Sequence, residues 1–415
     1  MIRERKFCRT CGSDQLALVL DLGCTPLAND FIPVDEISKY SISLPLRLVI
    51  CTRCSLAQLA DTVDPAVLYS RYAYVTSTSK TMDGHLAAQQ HHLLKAGGFV
   101  RPPRVLEIAS NTGLYLRKFQ QAGCEVLGVE PAENIARLAI QSGVPTLIKF
   151  FNTTTAQAIK SDWGLADLIV GRHVFAHIEN LRDLLAALET VSHSESLVVF
   201  EVPYLVDLYR GVEFDTIYHE HLSYVSVMAL QALVQESPFF LSRVDHYPIH
   251  GGSILFHLRR RTGHDVPHTS VAQALEMERS LCLADPKSWQ SFVQQVRRVQ
   301  AELPSLVRRL RGEARRVIGY GASAKGNTLL NTCGLTARDL DYIIDNTPFK
   351  QNKVAPGSWI PIRPPEWLLK DQPDFALILA WNFASEIIQR EAAYQSAGGR
   401  FILPLPEPKL VEWRG

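Results

Sequence analysis

Arg104-Val105-Leu106-Glu107-Ile108-Ala109-Ser110-Asn111-Thr112-Gly113 is the stretch on which the fold of this chain turns. Val105 to Ile108 form a short, mainly apolar run of the kind that a strand buried on both faces shows. A turn of small and polar residues follows, and an amphipathic period then opens at Leu114. Strand, tight loop and helix in that order place backbone amides at the carboxyl edge of a sheet, where a ligand can approach them.

The same rhythm continues outward. Val126 to Glu130, Asp167 to Val170 and Ser196 to Phe200 read as further buried parallel strands, with helices over Leu114 to Ala122, Asn134 to Ser142 and Leu181 to Val191. Alternating strands and helices imply a doubly wound α/β sheet. A second α/β unit begins at Arg316, with strands at Val317 to Tyr320, Tyr342 to Asp345 and Ala376 to Leu379. Residues 271 to 311 are mainly helical, and Pro65 to Ala96 read as a helical connector carrying Tyr69, Tyr72 and Tyr74. Three regions follow: 1–65, rich in turns and cysteine; 66–270, the first α/β unit with its helical lead-in; and 271–415, a helical connector and the second unit.

Composition bounds the function. The chain has 415 residues, 47% hydrophobic and 20% charged, with a formal net charge of +1. That suits a soluble globular protein of two or three domains and argues against binding to a nucleic-acid backbone, which needs a basic stripe. The charged start shows no secretory signal and no stretch is apolar enough to span a bilayer, so the cytoplasm is the expected compartment and no membrane partner is expected. There, cysteines read first as metal ligands. Cys8-x-x-Cys11 and Cys51-x-x-Cys54 are two knuckles that complete one tetrahedral zinc site, closed and therefore structural. Cys24, Cys124, Cys282 and Cys333 have no such spacing. Losing the zinc is expected to unsettle the N-terminal module more than the chemistry. Nothing in the sequence sets an oligomeric state, and a monomer is compatible with it.

Candidate site residues cluster at strand ends. Glu130 closes the second strand, where an acid can accept the hydroxyls of a ribose; a plain surface glutamate is the alternative. The loop lacks the full G-x-G-x-x-G of dinucleotide binders, which disfavours a nicotinamide cofactor. Tyr218-His219-Glu220-His221-Leu222-Ser223-Tyr224 concentrates titratable groups. In an extended segment Tyr218, Glu220 and Leu222 would share one face and His219 and His221 the other. A neighbouring carboxylate orients a histidine and raises its basicity, as a general base requires; a satisfied polar cluster is the alternative. His173 and His177, four apart, could face one side of a helical turn. Gly321-Ala322-Ser323-Ala324-Lys325-Gly326 is a small-residue loop whose amides, Ser323 and Lys325 suit a diphosphate at a helix N-terminus.

Taken together, these motifs resemble the sugar C-methyltransferases that act on deoxysugars linked to thymidine diphosphate (TDP). The cysteine quartet, Leu22-Gly23-Cys24-Thr25-Pro26-Leu27-Ala28-Asn29, Tyr218 to His221, the 321–326 loop, Ile344-Asp345-Asn346, Pro356-Gly357 and Leu379-Ala380-Trp381-Asn382-Phe383 carry the resemblance over nearly the whole chain. It implies S-adenosylmethionine as cofactor, held by Glu107, Ala109, Asn111, Gly113, Glu130, Pro131 and His173. It implies a 4-keto sugar whose acidified C–H is removed by His221, with Tyr218 and Glu220 positioning the base or steadying the oxyanion and His177 and Tyr72 lining the pocket. Ser323, Lys325, Asn327, Asp345 and Trp381 would bind the nucleotide sugar. Ala109 stands where the family usually has Gly, and Thr112 where Asp is common, which removes a carboxylate that could meet the methionine amino group. A non-catalytic nucleotide-sugar-binding protein and an O- or N-methyltransferase are the competing readings.

Overall fold

The computed structural model describes residues 2–68 and 80–412. Tyr69, Tyr72 and Tyr74 lie outside them. The central sheet has seven strands in the spatial order Phe239–Tyr247, Ser253–Arg260, Ser192–Pro203, Ala166–Arg172, Arg104–Ile108, Glu125–Val129 and Thr146–Leu147. Five are parallel, and the hairpin Phe239–Tyr247/Ser253–Arg260 adds an antiparallel edge. Val105, Leu106, Leu168, Ile169, Val198 and Phe200 are buried, as apolar runs covered on both faces should be. The chain winds outward in both directions from Arg104–Ile108, so a crevice opens between its carboxyl end and that of Ala166–Arg172. The helices expected between these strands form at Leu114–Gln121, Glu133–Gln141 and Leu181–Val191. Asn180 starts the last of them by accepting the Asp183 N–H at 3.1 Å, which satisfies a donor that has no partner within the helix.

The second α/β unit repeats the scheme. Its six strands run Ile362–Arg363, Ile343–Ile344, Val317–Tyr320, Phe375–Ile378, Arg400–Leu403 and Lys409–Leu410, the last antiparallel. A second crevice opens at Gly321, past the end of Val317–Tyr320. Gly321 has φ 89°, and a Cβ there would lie 2.9 Å from that of Ala380. Helices Thr269–Leu281 and Gln290–Gly312 connect the two units.

The N-terminal module is not self-contained. Its antiparallel sheet takes Leu16–Thr25, Leu44–Cys51 and Ala57–Leu59 from the module, and Ser223–Tyr224 from far downstream as its edge strand. Among the described residues no helix is long and apolar enough to cross a membrane.

Candidate active site

A cavity of about 960 Å³ joins the two crevices. On the central side Glu107, Ala109, Asn111, Glu130, Pro131 and His173 line it. The loop after Arg104–Ile108 passes through left-handed backbone at Ala109 (φ 56°), Asn111 (φ 49°) and Gly113 (φ 74°). Gly113 does not line the cavity. It precedes the Leu114–Gln121 helix, and a Cβ on it would meet Val144 at 2.9 Å. Glu130 accepts the Asn111 N–H at 3.0 Å on one oxygen and the Ala132 N–H at 2.9 Å on the other. It therefore holds the loop while keeping a lone pair on each oxygen for a ligand.

The fit to S-adenosylmethionine is tested by what this crevice leaves unpaired. Glu107 Oε2, Ser110 Oγ and His173 Nε2 line it and are buried without a hydrogen-bond partner. Buried polar groups are ordinarily paired, so a cluster of bare ones at a sheet switch point fits a polar cofactor. Burial raises the Glu107 carboxyl to about 8, with Arg172 opposing. It lowers His173 to about 4, so that ring is neutral near pH 7.

The 214–222 segment is a chain of turns, which corrects the expected alternation. Phe214–Thr216 is a short 3-10 turn, and the His221 N–H then bonds the Tyr218 carbonyl at 2.9 Å. That turn brings Tyr218 and His221 together. His221 Nδ1 donates to the Thr216 carbonyl at 3.0 Å, so in the neutral ring Nε2 is the acceptor and takes the Tyr218 hydroxyl proton at 2.6 Å. Burial, with His177 beside it, holds His221 well below the ordinary histidine range. The His177 ring meets the His221 ring edge-on at 5.0 Å and is lowered by burial to about 4. Glu220 makes no hydrogen bond to His221. It accepts from Asn29 Nδ2 at 2.7 Å, and burial raises it to about 7. His219 turns away and donates to the Pro45 carbonyl at 3.2 Å. His173 and His177 do not share a helical turn. His173 has φ 55° and meets His250 instead, at 4.7 Å.

On the other side of the cavity lie Ser323, Lys325 and Asp345. Ser323 Oγ caps the helix Ala324–Thr332 by accepting the Gly326 N–H at 2.9 Å, and it donates to the Leu379 carbonyl at 3.2 Å. A diphosphate here would meet backbone amides and not that hydroxyl. Lys325 Nζ donates to the His250 carbonyl at 2.9 Å, lies 3.8 Å from Glu213 and sits 4.6 Å over the Trp381 ring. Trp381 and Asn327 stand behind the cavity wall. Trp381 Nε1 donates to Asp215 at 2.6 Å, and Asn327 Nδ2 donates to the Ala28 carbonyl at 2.7 Å. Asp345 repeats the Glu130 device, accepting the Ala322 N–H at 2.7 Å and the Thr347 N–H at 2.8 Å.

Reasoning from sequence missed Asn29, Arg172 and Glu201. Asn29 lies inside a quoted motif. Arg172 ends its strand and Glu201 interrupts the apolar run Leu197–Val202 of its own, and that was the available signal.

The cysteine quartet is assembled, with Cys8 Sγ 3.5 Å from Cys54 Sγ and Cys11 Sγ 3.6 Å from Cys51 Sγ. Zinc–sulfur bonds of about 2.3 Å in a tetrahedron put sulfurs about 3.8 Å apart, so the four thiolates fit one zinc. Thr10 Oγ1 lies 3.2 Å from both Cys8 and Cys54 Sγ, placed to donate to either thiolate. His92, Asp245 and His257 also come together. Arg243 Nε donates to both Asp245 oxygens at 2.7 and 2.9 Å, an ion pair within one strand of the edge hairpin, and His92 Nε2 on helix Lys80–Ala96 lies 3.5 Å from the same carboxylate.

Three family models match separate parts of the chain. Residues 8–69 match a family described as "Putative zinc binding domain", 81–240 one described as "Methyltransferase domain", and 248–406 one described as "C-methyltransferase C-terminal domain". The C-methyltransferase NovU of Streptomyces niveus is 37% identical over 412 residues, which cover 99% of this chain and 98% of that protein. Among solved structures, the PH0226 protein of Pyrococcus horikoshii aligns over 46% of this chain and 98% of its own at 13% identity, TM-score 0.35. The magnesium protoporphyrin IX methyltransferase of Synechocystis with bound SAM aligns over 46% and 88% at 14% identity, TM-score 0.33. Matched from the zinc module to the C-terminal unit by a relative that it covers almost end to end, the chain belongs to the C-methyltransferase family and is an S-adenosylmethionine-dependent enzyme.

Proposed function

We propose that the chain methylates the carbon next to the ketone of a nucleotide-linked 4-keto deoxysugar, with TDP as the nucleotide. The observation that carries this reading is His221, a neutral imidazole on the wall of a cavity that reaches both crevices. S-adenosylmethionine, when bound, supplies an electrophilic methyl group. The sugar carbon must become nucleophilic, and that requires loss of a proton next to the ketone. His221 Nε2 is the basic atom, because Nδ1–H is held by the Thr216 carbonyl. The proton reaches Nε2 directly if Tyr218 swings aside. Otherwise it passes to the Tyr218 oxygen as that hydroxyl gives its own proton to His221. A buried imidazolium is costly, but the enolate formed in the same step carries the opposite charge beside it. Thr216 keeps the ring oriented through both states.

The test is His221→Ala with a TDP-linked 4-keto-6-deoxyhexose deuterated at the reacting carbon. Turnover should fall about 10²–10⁴-fold, the usual contribution of a positioned base, and solvent exchange at that carbon should vanish. Exchange at the wild-type rate in the variant would show that His221 is not the base. Tyr218→Phe separates the two routes, since only direct transfer leaves exchange intact.

A further inference from the structure

Arg172 is a buried cation whose donors are only partly paired. It ends the strand Ala166–Arg172, directly across from Glu201 on the neighbouring strand. Its Nε donates to Glu201 Oε2 at 2.9 Å and Nη2 reaches the Met82 sulfur, a weak acceptor, at 3.4 Å. Nη1 has no hydrogen bond among the described residues, although the side chain is only 9% exposed and faces the cavity. A guanidinium offers five N–H donors in a rigid fork. Here the fork cannot rotate away. Glu201 is fully buried and also takes His85 Nε2 at 2.8 Å and Gln89 Nε2 at 3.0 Å from helix Lys80–Ala96. The Tyr115 ring lies 5.5 Å beneath the guanidinium. One strand over, Glu107 presents its bare Oε2 to the same crevice.

We infer that Arg172 anchors the carboxylate of the cofactor's methionyl end while Glu107 receives its ammonium. Thr112 carries no carboxylate and does not line the cavity, so the amino group needs another acid, and Glu107 is within the lining. Charges also close. The cofactor carries a sulfonium, an ammonium and a carboxylate, a net of one positive charge. Arg172, Glu201 and an ionised Glu107 carry a net of one negative charge. The Glu201 clamp makes the site rigid before the ligand arrives, and binding to a preorganised fork loses little rotamer freedom. This inference rests on placing the cofactor between Glu107 and Glu130.

The test is calorimetric and needs no turnover. Wild-type protein is titrated with S-adenosylhomocysteine, with its carboxamide, and with 5′-methylthioadenosine, which lacks the amino-acid tail. The carboxamide should bind about 10- to 100-fold more weakly than the acid, as expected when a charge-assisted pair is lost. Arg172→Met should erase that difference, weakening the acid by the same factor and leaving methylthioadenosine unchanged. Equal affinity of wild type for acid and amide would overturn the inference, however the variant folds. So would a variant that keeps the acid–amide difference. Glu130→Ala is the control on placement. If it fails to weaken methylthioadenosine, the cofactor crevice itself is misassigned. If it does weaken it while acid and amide bind alike, only the role of Arg172 fails.

Discussion

Glu107 shows how one buried side chain sets a pH dependence. Its carboxyl sits near 8 in the free protein because burial disfavours the anion. Beside an ammonium the anion is favoured, so the bound-state value falls and binding below pH 8 must release a proton. Affinity for S-adenosylhomocysteine should therefore rise with pH from 6 towards 8, at most about tenfold per unit. At higher pH the ligand's own α-ammonium loses its charge and the gain turns over. Glu107→Gln should flatten the rising limb, and a wild-type affinity independent of pH over that range would refute the pairing. Glu130 could be singled out in the sequence because an acid closing an apolar strand stands out, whereas Glu107 entered only through the family resemblance. Arg172 and Asn29 could not be singled out, because their meaning depends on Glu201 and Glu220, which lie remote in sequence. Glu220 was expected beside His221. The turn through the Tyr218 carbonyl puts Tyr218 there instead and sends Glu220 to Asn29.

At the scale of elements, both α/β units use one device. A strand-end acid, Glu130 or Asp345, grips a backbone amide in the loop after the neighbouring strand, Asn111 or Ala322. That strand–loop–helix order was readable from the alternation of apolar runs with helical periods, and it located both crevices. What each loop side chain does was less readable, since local hydrogen bonds compete for it. Ser323 is the clearest case, with its hydroxyl already accepting from Gly326 and donating to Leu379. Ser323→Ala should lower stability by about 0.5–2 kcal/mol, the usual worth of an N-cap, and leave the Michaelis constant for the nucleotide sugar nearly unchanged. Denaturant titration and steady-state kinetics check the two halves. A large rise in the Michaelis constant without loss of stability would return the hydroxyl to the diphosphate.

For the whole molecule, the consequential fact is that the zinc module clasps the segment that carries the proposed base, His221. Ser223–Tyr224, two residues past His221, completes the module's sheet against Ala57–Leu59. The Leu59 N–H bonds the Leu222 carbonyl at 3.1 Å, His219 reaches Pro45, and Asn29 holds Glu220. The paired cysteine spacing revealed the zinc site, but no local pattern could reveal a strand borrowed from so far along the chain. Zinc loss was accordingly expected to unsettle the module more than the chemistry, and the shared sheet couples the two. Removing the metal leaves four clustered thiols with nothing to join the knuckles. The strands that follow Cys11 and precede Cys54 then loosen, and the register that fixes Tyr218 and His221 loosens with them. The cofactor crevice is built on the central sheet and should survive. Chelation should therefore lower turnover and proton exchange at the sugar carbon, while calorimetry still finds S-adenosylhomocysteine binding, and added zinc should restore both rates. Full turnover in protein shown by elemental analysis to be zinc-free would mean that the base segment holds its turns without the module's support.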